Sequence, residues 1–288
     1  MIVRASEEIE FFKMAGAGND FIVIDNRRVP IAEAELPELA KMLCRRQFGL
    51  GADGLIALET SRVASVRMHY FNADGSRGEL CGNGARCAAR LAYMRVLAGR
   101  KMTNETGAGI LHAEILESNE VRVQMPEPAN ARENIEVSVG GHVMTGQFVT
   151  VGVPHVVFFI KDVNDINVAA AGRMVRNHPL FAPAGANVNF AQPVGAGIRL
   201  RTYERGVEAE TLACGTGAVA TAFFAARLFG GVSPIPVAVR SGSIVTVHFN
   251  RASGDALTRF ELQGDARLLC RGKFTPEALL PAHPATKA

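Results

Sequence analysis

One short stretch that occurs twice limits what this chain can fold into. The first copy is ELCGNGARCAARLAYM, where Cys81 is followed by Gly-Asn-Gly, and the second is TLACGTGAVATAFFAARL, where Cys214 is followed by Gly-Thr-Gly. An alanine-rich apolar run comes next in both copies, and such a run is typical of a buried helix. The sequence therefore predicts two buried helices, each with one cysteine at its N-terminus.

The N-terminus of a helix favours negative charge. It carries roughly half a positive charge and presents N–H groups that have no acceptor within the helix. The Gly-x-Gly after each cysteine leaves those N–H groups without side-chain cover. Such a position favours thiolate over thiol and also suits a carboxylate. Two helices of this kind are suited to hold one anionic ligand from opposite sides.

The repeat extends upstream of both cysteines. VRMHYFNADGSRGEL precedes the first and IRLRTYERGVEAET the second, and each is a strand-like alternation that ends in a polar turn. Further upstream, MAGAGNDFIVID and VTVGVPHVVFFI are each a glycine-bearing turn followed by an apolar, strand-like run. A duplicated unit explains this order more simply than chance, and it predicts two similar domains related by a pseudo-twofold axis.

The chain is long enough for two domains, since its 288 residues can form two separate cores. We place the N-terminal domain at residues 1–127 and the C-terminal domain at 128–267, with MPEPAN as the linker. The segment from about 268 to 288 is expected to return to the N-terminal domain. Its last eight residues, PAHPATKA, are expected to be disordered.

Composition excludes several classes of protein. The 48% hydrophobic and 20% charged residues are ordinary for a globular protein, and the net charge of +3 is spread along the chain, so no nucleic-acid partner is indicated. No stretch approaches the roughly 20 apolar residues of a membrane span, and the N-terminus lacks a signal peptide, which favours a cytoplasmic location without a membrane partner. Five cysteines without a CxxC pair predict neither a disulfide framework nor a metal site.

Many short strands around two buried helices predict an α+β fold with largely antiparallel sheets. Two further helices are expected. IAEAELPELAKMLCRR should bury Cys44 near its end, and DVNDINVAAAGRMVRNHP should begin at Asn164 or Asp165 and stop at Pro179. GVPH is expected to be a turn, and Cys87 should pack in the core. FGLGADGL contains G-x-G-x-x-G, but it opens a strand-like run rather than a helix, so no dinucleotide site is predicted.

Two cysteines in equivalent positions indicate a specific chemistry. If a thiolate and a thiol lie on opposite faces of a carbon acid, the first removes a proton while the second delivers one to the other face. The result is inversion of a stereocentre without a cofactor. The helix N-termini would stabilise charge that builds on an adjacent carboxylate, and domain closure would exclude water.

The motifs MAGAGNDFIVID, FGLGADGL, YFNADGSRGELCGNGARC, GVPH, GANVNF and YERGVEAETLACGTGA, taken in order, resemble diaminopimelate epimerase. The resemblance runs from about residue 12 to 272. It implies two α/β domains that close over an amino-acid substrate, no cofactor, and interconversion of LL- and meso-2,6-diaminopimelate in lysine and peptidoglycan biosynthesis. It also implies a homodimer, although Cys270 stands where many members place a tyrosine at the dimer contact.

The resemblance assigns roles to individual residues. Cys81 and Cys214 match the acid–base pair, and His155 and Glu204 match residues that tune the cysteines. The remaining residues match the substrate-binding set: Asn19, Asn72, Gly82, Asn83, Asn187, Glu204, Arg205, Gly215 and Thr216. Neutral amides can bind substrate without disturbing the charge of the thiols, and an arginine suits a carboxylate.

Three positions depart from the family pattern near the substrate. Val153 replaces a substrate-binding asparagine, ERGVEAET is one residue longer than the usual motif, and Gly54 stands where some members have glutamine. The first two changes concern substrate specificity rather than inversion.

Two other functions therefore stay open beside diaminopimelate epimerisation. One is racemisation or isomerisation of another amino acid on the same fold, and the other is ligand binding without catalysis. Retention of both cysteines and of the Glu204–Arg205 pair favours an active enzyme.

Overall fold

The structure is a computed structural model that describes residues 8–28, 30–78, 80–254 and 256–279. The tail expected to be disordered lies outside the described residues. The chain divides into two compact units, the first formed by Met1–Val123 with Asp265–Ala288 and the second by Gln124–Gly264. These boundaries lie a few residues before those that we placed from the sequence.

Among the described residues, the first unit has two α-helices, and most of its strands precede the second unit in the chain. In chain order the elements are β1 (Ile9–Gly16), β2 (Asn19–Asp25), α1 (Leu36–Cys44), β3 (Gly54–Glu59), β4 (Val66–Asn72), α2 (Gly82–Met94), β5 (Lys101–Thr106), β6 (Gly109–Ile115) and β7 (Val121–Gln124).

The described part of the second unit again has two α-helices. Its elements are β8 (Ala129–Val139), β9 (His142–Val151), β10 (Val153–Phe159), α3 (Val168–Arg176), β11 (Asn187–Val194), β12 (Gly197–Glu204), β13 (Ala209–Thr211), α4 (Gly215–Leu228), β14 (Ile235–Ala238), β15 (Ile244–Arg251) and β16 (Leu257–Gly264). The chain then returns to the first unit as β17 (Arg267–Phe274). Short 3-10 helices cover Glu33–Glu35, Pro179–Phe181 and Pro276–Leu279.

The two units repeat one strand topology. In the first unit the order is β17-β1-β2-β3-β4-β5-β6-β7, and in the second it is β8-β9-β10-β11-β12-β14-β15-β16. The third and fifth pairs in each order are parallel and the others antiparallel. Strand β17 takes the place in the first unit that β8 takes in the second. The duplication inferred from the sequence is therefore present in the backbone.

The central strands of each unit have a helix packed on each face. Ile22 and Ile24 pack in a core cluster with α1, while Phe21 faces the first turn of α2. The same arrangement holds in the second unit, where Val156 and Phe158 pack with α3 and α4 contacts the other face. Burial on both faces explains why β2 and β10 are continuous apolar runs rather than alternating ones.

Two sequence predictions about local structure are wrong. Helix α3 begins later than expected, because Asn167 is its N-cap and its Oδ1 accepts the Ala170 N–H at 3.1 Å. GVPH is mostly strand: Gly152, with φ of 68°, makes the tight turn, and β10 starts at Val153. Among the described residues, no helix has the length and apolar character required to cross a membrane.

Candidate active site

Cys81 is the N-cap residue of α2. Its backbone is extended, with φ of −128° and ψ of 110°, and its Sγ accepts a hydrogen bond from the Gly84 N–H at 3.4 Å. Gly82 and Asn83 are the first two helical residues, and the Cys81 side chain is partly exposed. The first turn of the helix thus directs a main-chain donor at the sulfur.

Cys214 is the N-cap residue of α4. Its backbone has φ of −127° and ψ of 109°, and Gly215 and Thr216 are the first helical residues. The residue is only 7% exposed, and its Sγ lies 3.5 Å from Oγ1 of Thr216. The Cys214 side chain does not accept a capping hydrogen bond from the helix.

Gly217, in the first turn of α4, is required by close packing. A Cβ at this position would stand 2.4 Å from Oδ1 of Asn189 and 3.3 Å from Sγ of Cys214. Asn189 therefore lies directly under the turn that carries the cysteine. Because there is no room for a methyl group, the glycine brings strand β11 and the thiol together.

In the first unit a chain of side-chain hydrogen bonds joins β2 to α2. Asn83 Nδ2 donates to Asn19 Oδ1 at 2.7 Å, and Asn19 Nδ2 donates to Asp53 at 2.9 Å. At the other end, the Arg86 guanidinium donates to Asn83 Oδ1 at 2.9 Å. Since a carboxylate only accepts and a guanidinium only donates, the two ends fix the orientation of both amides.

Asn72 ends β4, and its carboxamide is held locally. The Tyr70 hydroxyl donates to its Oδ1 at 2.7 Å, and its Nδ2 donates to Ser76 Oγ at 2.9 Å. These contacts hold the amide in the turn that follows the strand.

Asn187 and Arg205 are linked in the second unit. The main-chain N–H of Arg205 donates to Asn187 Oδ1 at 2.7 Å, and the Arg205 guanidinium donates to the Ala184 carbonyl at 3.4 Å. Glu204, the last residue of β12, accepts the Glu208 N–H at its carbonyl. The longer ERGVEAET motif thus forms the turn between β12 and β13, with Glu208 at a φ of 57°.

His155 is fully buried on β10, and its tautomer is fixed by its neighbours. Thr202 Oγ1 donates to Asn189 Oδ1 at 3.0 Å, which directs Asn189 Nδ2 to the Val156 carbonyl and to His155 Nδ1. Because Nδ1 accepts, the proton of the neutral ring is on Nε2, which has no hydrogen-bond partner among the described residues. Burial, and then the Arg205 charge, lower the pKa of His155 to about 3. His155 is therefore a neutral hydrogen-bond donor.

Val153 is the first residue of β10, in the position that Asn19 holds in β2. Asn19 pairs with Gly16 across the β1–β2 turn, and Val153 pairs with Val151 across the β9–β10 turn. Where the first unit has an amide, the second therefore has an isopropyl group.

The remaining cysteines differ from the two at helix N-termini. Cys44 and Cys87 are buried as expected, and burial raises the pKa of each thiol to about 12. Cys270 on β17 is exposed. Within the part of the chain that the structure describes, no three His, Cys, Asp or Glu side chains are grouped to hold a metal ion.

The structure brings part of the sequence-predicted set together within each unit, while the hydrogen bonds described above for Asn72, Asn187, Glu204 and Arg205 lead to other neighbours. The first helix N-terminus carries Cys81, Gly82 and Asn83, with Asn19 accepting from Asn83, and the second carries Cys214, Gly215 and Thr216. Sequence reasoning missed the residues that orient this set: Asp53, Arg86, Asn189 and Thr202. All four stand inside quoted segments: Asp53 in FGLGADGL, Arg86 in GNGARC, Asn189 in GANVNF and Thr202 in IRLRTYERGVEAET.

Comparison with known proteins places the chain among one group of enzymes. Residues 11–130 and 147–255 match the family model for diaminopimelate epimerase. The diaminopimelate epimerase of Aquifex aeolicus (strain VF5) is 41% identical over 284 residues, covering 94% of this chain and 99% of that protein. The diaminopimelate epimerase of Archaeoglobus fulgidus is 42% identical over 246 residues, covering 81% and 87%.

Solved structures confirm the α+β fold. A phenazine biosynthesis protein of the PhzF family from Bacillus anthracis superimposes with a TM-score of 0.75 at 16% identity, covering 93% of this chain and 99% of that one. A hydroxyproline epimerase from Agrobacterium vitis gives a TM-score of 0.70 at 16% identity, covering 98% and 94%. At this level of identity the likeness concerns the fold alone.

Proposed function

This chain belongs to the diaminopimelate epimerase family, and we propose that it interconverts LL- and meso-2,6-diaminopimelate in lysine and peptidoglycan biosynthesis. The observation that carries the proposal is the placement of Cys81 and Cys214 at the same position of two copies of one unit. An inversion needs one acid–base group for each face of the α-carbon, and a duplicated thiol at a helix N-terminus supplies both.

The proton transfers balance in either direction. One cysteine, as thiolate, removes the α-proton and becomes a thiol, while the other, as thiol, delivers its proton to the opposite face and becomes a thiolate. The substrate leaves with the inverted configuration, and the protein's total proton count is unchanged. The reverse reaction uses the cysteines in exchanged roles.

Charge that builds on the substrate during proton removal needs stabilisation. An amino-acid α-proton is weakly acidic, and negative charge moves onto the α-carboxylate as the proton leaves. We assign the main-chain N–H groups of Gly82, Asn83, Gly215 and Thr216 to this carboxylate. Donors fixed by a helix need no reorganisation at the moment of reaction, and the helix dipole adds to their effect.

The second charged end of diaminopimelate needs its own contacts. We assign its carboxylate to the Arg205 guanidinium and its ammonium group to Glu204, because a fork of N–H donors matches a carboxylate. The amides of Asn19, Asn72 and Asn187 are proposed to fix the orientation of the bound molecule. His155 and Glu204 are proposed to tune the thiols, and His155 can do so only as a hydrogen-bond donor because it stays neutral.

We also propose that the enzyme works in the cytoplasm as a homodimer. The location follows from the biosynthetic role, and the dimer follows from the resemblance to the family. Light scattering on the eluting peak of a size-exclusion column tests the dimer: a mass near 30.8 kDa, that of one chain, would contradict it.

The experiment that tests the reaction uses reduced protein and LL-diaminopimelate in deuterated water. Proton NMR follows loss of the α-proton signal, and chiral chromatography follows the meso isomer. We expect deuterium at the inverted carbon and an equilibrium mixture from either isomer. Deuterium without inversion would contradict the two-thiol reaction.

A negative result with diaminopimelate tests the substrate assignment separately from the reactivity of the thiols. If reactive thiols are present but diaminopimelate is neither exchanged nor inverted, the substrate assignment is wrong. Other amino acids, including proline and hydroxyproline, are then tested in the same assay, and turnover of one of them would establish a racemase or epimerase of different specificity.

A further inference from the structure

Two buried polar side chains of the second unit, His155 on β10 and Asn189 on β11, take the places of two apolar ones in the first unit. We propose that Asn189 is a positioning residue that holds His155 in the tautomer with its proton on Nε2. His155 then gives the site a fixed hydrogen-bond donor for an anionic acceptor, and it does not act as a base. The proposal rests on the proposed epimerase function, but its first tests use no substrate.

The strand registers identify the equivalent positions in the two units. His155 on β10 corresponds to Phe21 on β2, since each lies two residues after the position that pairs across the preceding hairpin turn. Asn189 on β11 corresponds to Ile56 on β3, since each occupies the same step of the parallel pairing with that strand. All four side chains are fully buried.

The helices agree with this correspondence. A Cβ on Gly217 would stand 2.4 Å from Oδ1 of Asn189, and a Cβ on Gly84 would stand 3.2 Å from Cδ1 of Ile56. Because the first unit fills the place under its cysteine helix with an apolar side chain, the fold does not require an amide there. Burial of polar groups costs free energy unless hydrogen bonds compensate it. The polar pair of the second unit therefore indicates a role in the site.

Two neighbours determine which way the Asn189 carboxamide points. The Val156 carbonyl can only accept, so Nδ2 of Asn189, 3.1 Å from it, must face it. Thr202 Oγ1 donates to Oδ1 on the other side at 3.0 Å. Turning the amide over would place two acceptors against each other at the Val156 carbonyl. The second hydrogen of Nδ2 is thereby directed at Nδ1 of His155, 3.2 Å away.

This orientation leaves the neutral His155 ring one tautomer. Nδ1 accepts from Asn189, so the ring proton is on Nε2 and the Nδ1 lone pair is not available to a base reaction. Nε2 is buried, and no described residue accepts its hydrogen. A buried donor without an acceptor is costly, which suits Nε2–H to an acceptor that arrives or becomes charged during the reaction. An anion, as a carboxylate oxygen or a thiolate, makes the stronger bond with such a donor.

Charges near His155 affect its total protonation rather than its tautomer. Burial, and then the Arg205 charge, disfavour a second proton on the ring. The neighbouring elements also place Glu204 at the end of β12 and Cys214 at the N-terminus of α4. The contact at Nδ1 is what distinguishes the two neutral forms of the ring, and Asn189 makes that contact.

The first test identifies the His155 tautomer in the reduced, substrate-free, full-length protein. Labelling the histidine rings with heavy nitrogen gives separate NMR signals for protonated and unprotonated ring nitrogens. His155→Gln identifies which signals belong to His155. We expect an unprotonated Nδ1 and a protonated Nε2 at neutral pH. A protonated Nδ1 would overturn the proposal.

Asn189→Asp reverses the contact at Nδ1 with little change of shape. The carboxylate offers an acceptor where the amide offered a donor. Below the pKa of the new carboxyl–imidazole pair, Nε2 keeps its proton, whichever member of the pair holds the other one. Above that pKa the remaining proton is on Nδ1, which faces the carboxylate, and Nε2 is unprotonated. We expect this change in the NMR signal of Nε2 as the pH rises, and no such change in the wild type.

The same variant tests the use of the donor in the reaction of LL-diaminopimelate. Relative to the wild type at the same pH, kcat/KM of Asn189→Asp should fall by roughly tenfold or more as the pH rises through the pKa of the pair. Damage to packing alone would lower activity equally at each pH. Asn167→Asp is the matched control, since it adds the same charge to the second unit and aspartate caps α3 as well as asparagine does. It should leave the His155 signals and the pH profile unchanged.

The wild-type protein keeps the role of Asn189 testable if Asn189→Asp fails to fold. A scalar coupling across the N–H···N bond links Asn189 Nδ2 to His155 Nδ1 only when the amide donates. Absence of this coupling in resolved spectra, or an Nε2 signal that stays protonated at every pH in folded Asn189→Asp, would remove Asn189 from the proposal. A tautomer change without the loss of kcat/KM would mean that the reaction does not use the donor. Failure of the wild type to turn over diaminopimelate would not alter the NMR results, so the two proposals fail separately.

Discussion

Cys81 and Cys214 adopt the same backbone conformation at the first turns of α2 and α4, within one degree in both φ and ψ. Each is the N-cap of a helix that packs on the central strands of its unit. The duplicated backbone therefore places both thiols at the same helix position. One contact of each sulfur differs, since the Cys81 sulfur accepts from the Gly84 N–H and the Cys214 sulfur contacts the Thr216 hydroxyl. Chemistry at the two thiols can be tested one residue at a time.

Replacing either cysteine should remove inversion. In Cys81→Ala or Cys214→Ala one face of the α-carbon loses its acid–base group, which contributes about 100-fold or more to rate. We expect epimerisation to fall by at least that factor in both variants, measured from either isomer. The control is Cys44→Ala, because that thiol is buried in the core cluster at the end of α1 and not at either cysteine-bearing helix N-terminus; turnover per folded protein should stay near the wild-type value. Near-normal turnover in either of the first two variants would contradict the two-thiol reaction.

Gly217→Ala should displace the Cys214 thiol. The new methyl group would meet Oδ1 of Asn189 at 2.4 Å, too close for any real contact, and Sγ at 3.3 Å. The Asn189 carboxamide, which Thr202 and the Val156 carbonyl hold in place, or the turn that carries Cys214 must move, and a misplaced reacting group costs on the order of 100-fold in rate. We expect kcat to fall by about that factor.

Gly84→Ala is the comparison in the first unit. There the methyl group would stand 3.2 Å from Ile56 Cδ1, a contact that a small shift relieves. We expect a smaller loss of kcat than for Gly217→Ala, with thermal unfolding measured on both proteins to separate misplacement from unfolding. An equal or larger loss for Gly84→Ala would contradict the packing argument.

The sequence predicts the duplicated unit and the cysteine helices because both depend on local signals. Glycine turns, apolar runs and a cysteine before Gly-x-Gly are visible without knowledge of contacts. The predicted start of α3 at Asn164 or Asp165 is wrong because Asn167, a residue of the same capping type, stands shortly after them, and only the observed bond to Ala170 identifies it as the cap.

Orienting residues could not be predicted because their roles come from distant contacts. Asp53 binds Asn19 across 34 positions of sequence, and Arg86 contacts the Asp265 carbonyl across 179. Neither an isolated aspartate nor an arginine on an alanine-rich helix indicates such a partner. Thr202 and Asn189 likewise meet only because β11 and β12 pair in a register that brings them opposite each other.

His155 should make the free energy of unfolding depend on pH. Its pKa is near 3 in the folded protein and near 6.5 when unfolded, so the unfolded state binds more protons between these values. Stability is therefore present above pH 6.5 and is lost as the pH falls towards 3. Between pH 6.5 and 5 we expect a loss of about 2 kcal/mol, measured by urea unfolding.

His155→Gln provides the control for this pH dependence. Glutamine is neutral throughout, so the variant should be less pH-sensitive than the wild type by that amount, whatever its absolute stability. The window lies above the range in which Asp20 and Asp25 titrate, since both carboxyls have pKa values below 3.8. Equal pH dependence in the two proteins would mean that buried His155 takes up a proton.

Val153→Asn should strengthen binding of diaminopimelate. Val153 begins β10 as Asn19 begins β2, and asparagine at this position would offer the substrate a hydrogen bond that valine cannot. One such bond contributes about 1 kcal/mol, so KM should fall roughly fivefold with little change in kcat. Val153→Thr, of similar volume, is the control for polarity alone, and its KM should fall less than that of Val153→Asn. If KM is unchanged in Val153→Asn, another group of this chain already makes the contact, and the turn at 206–208 is the first place to look for it.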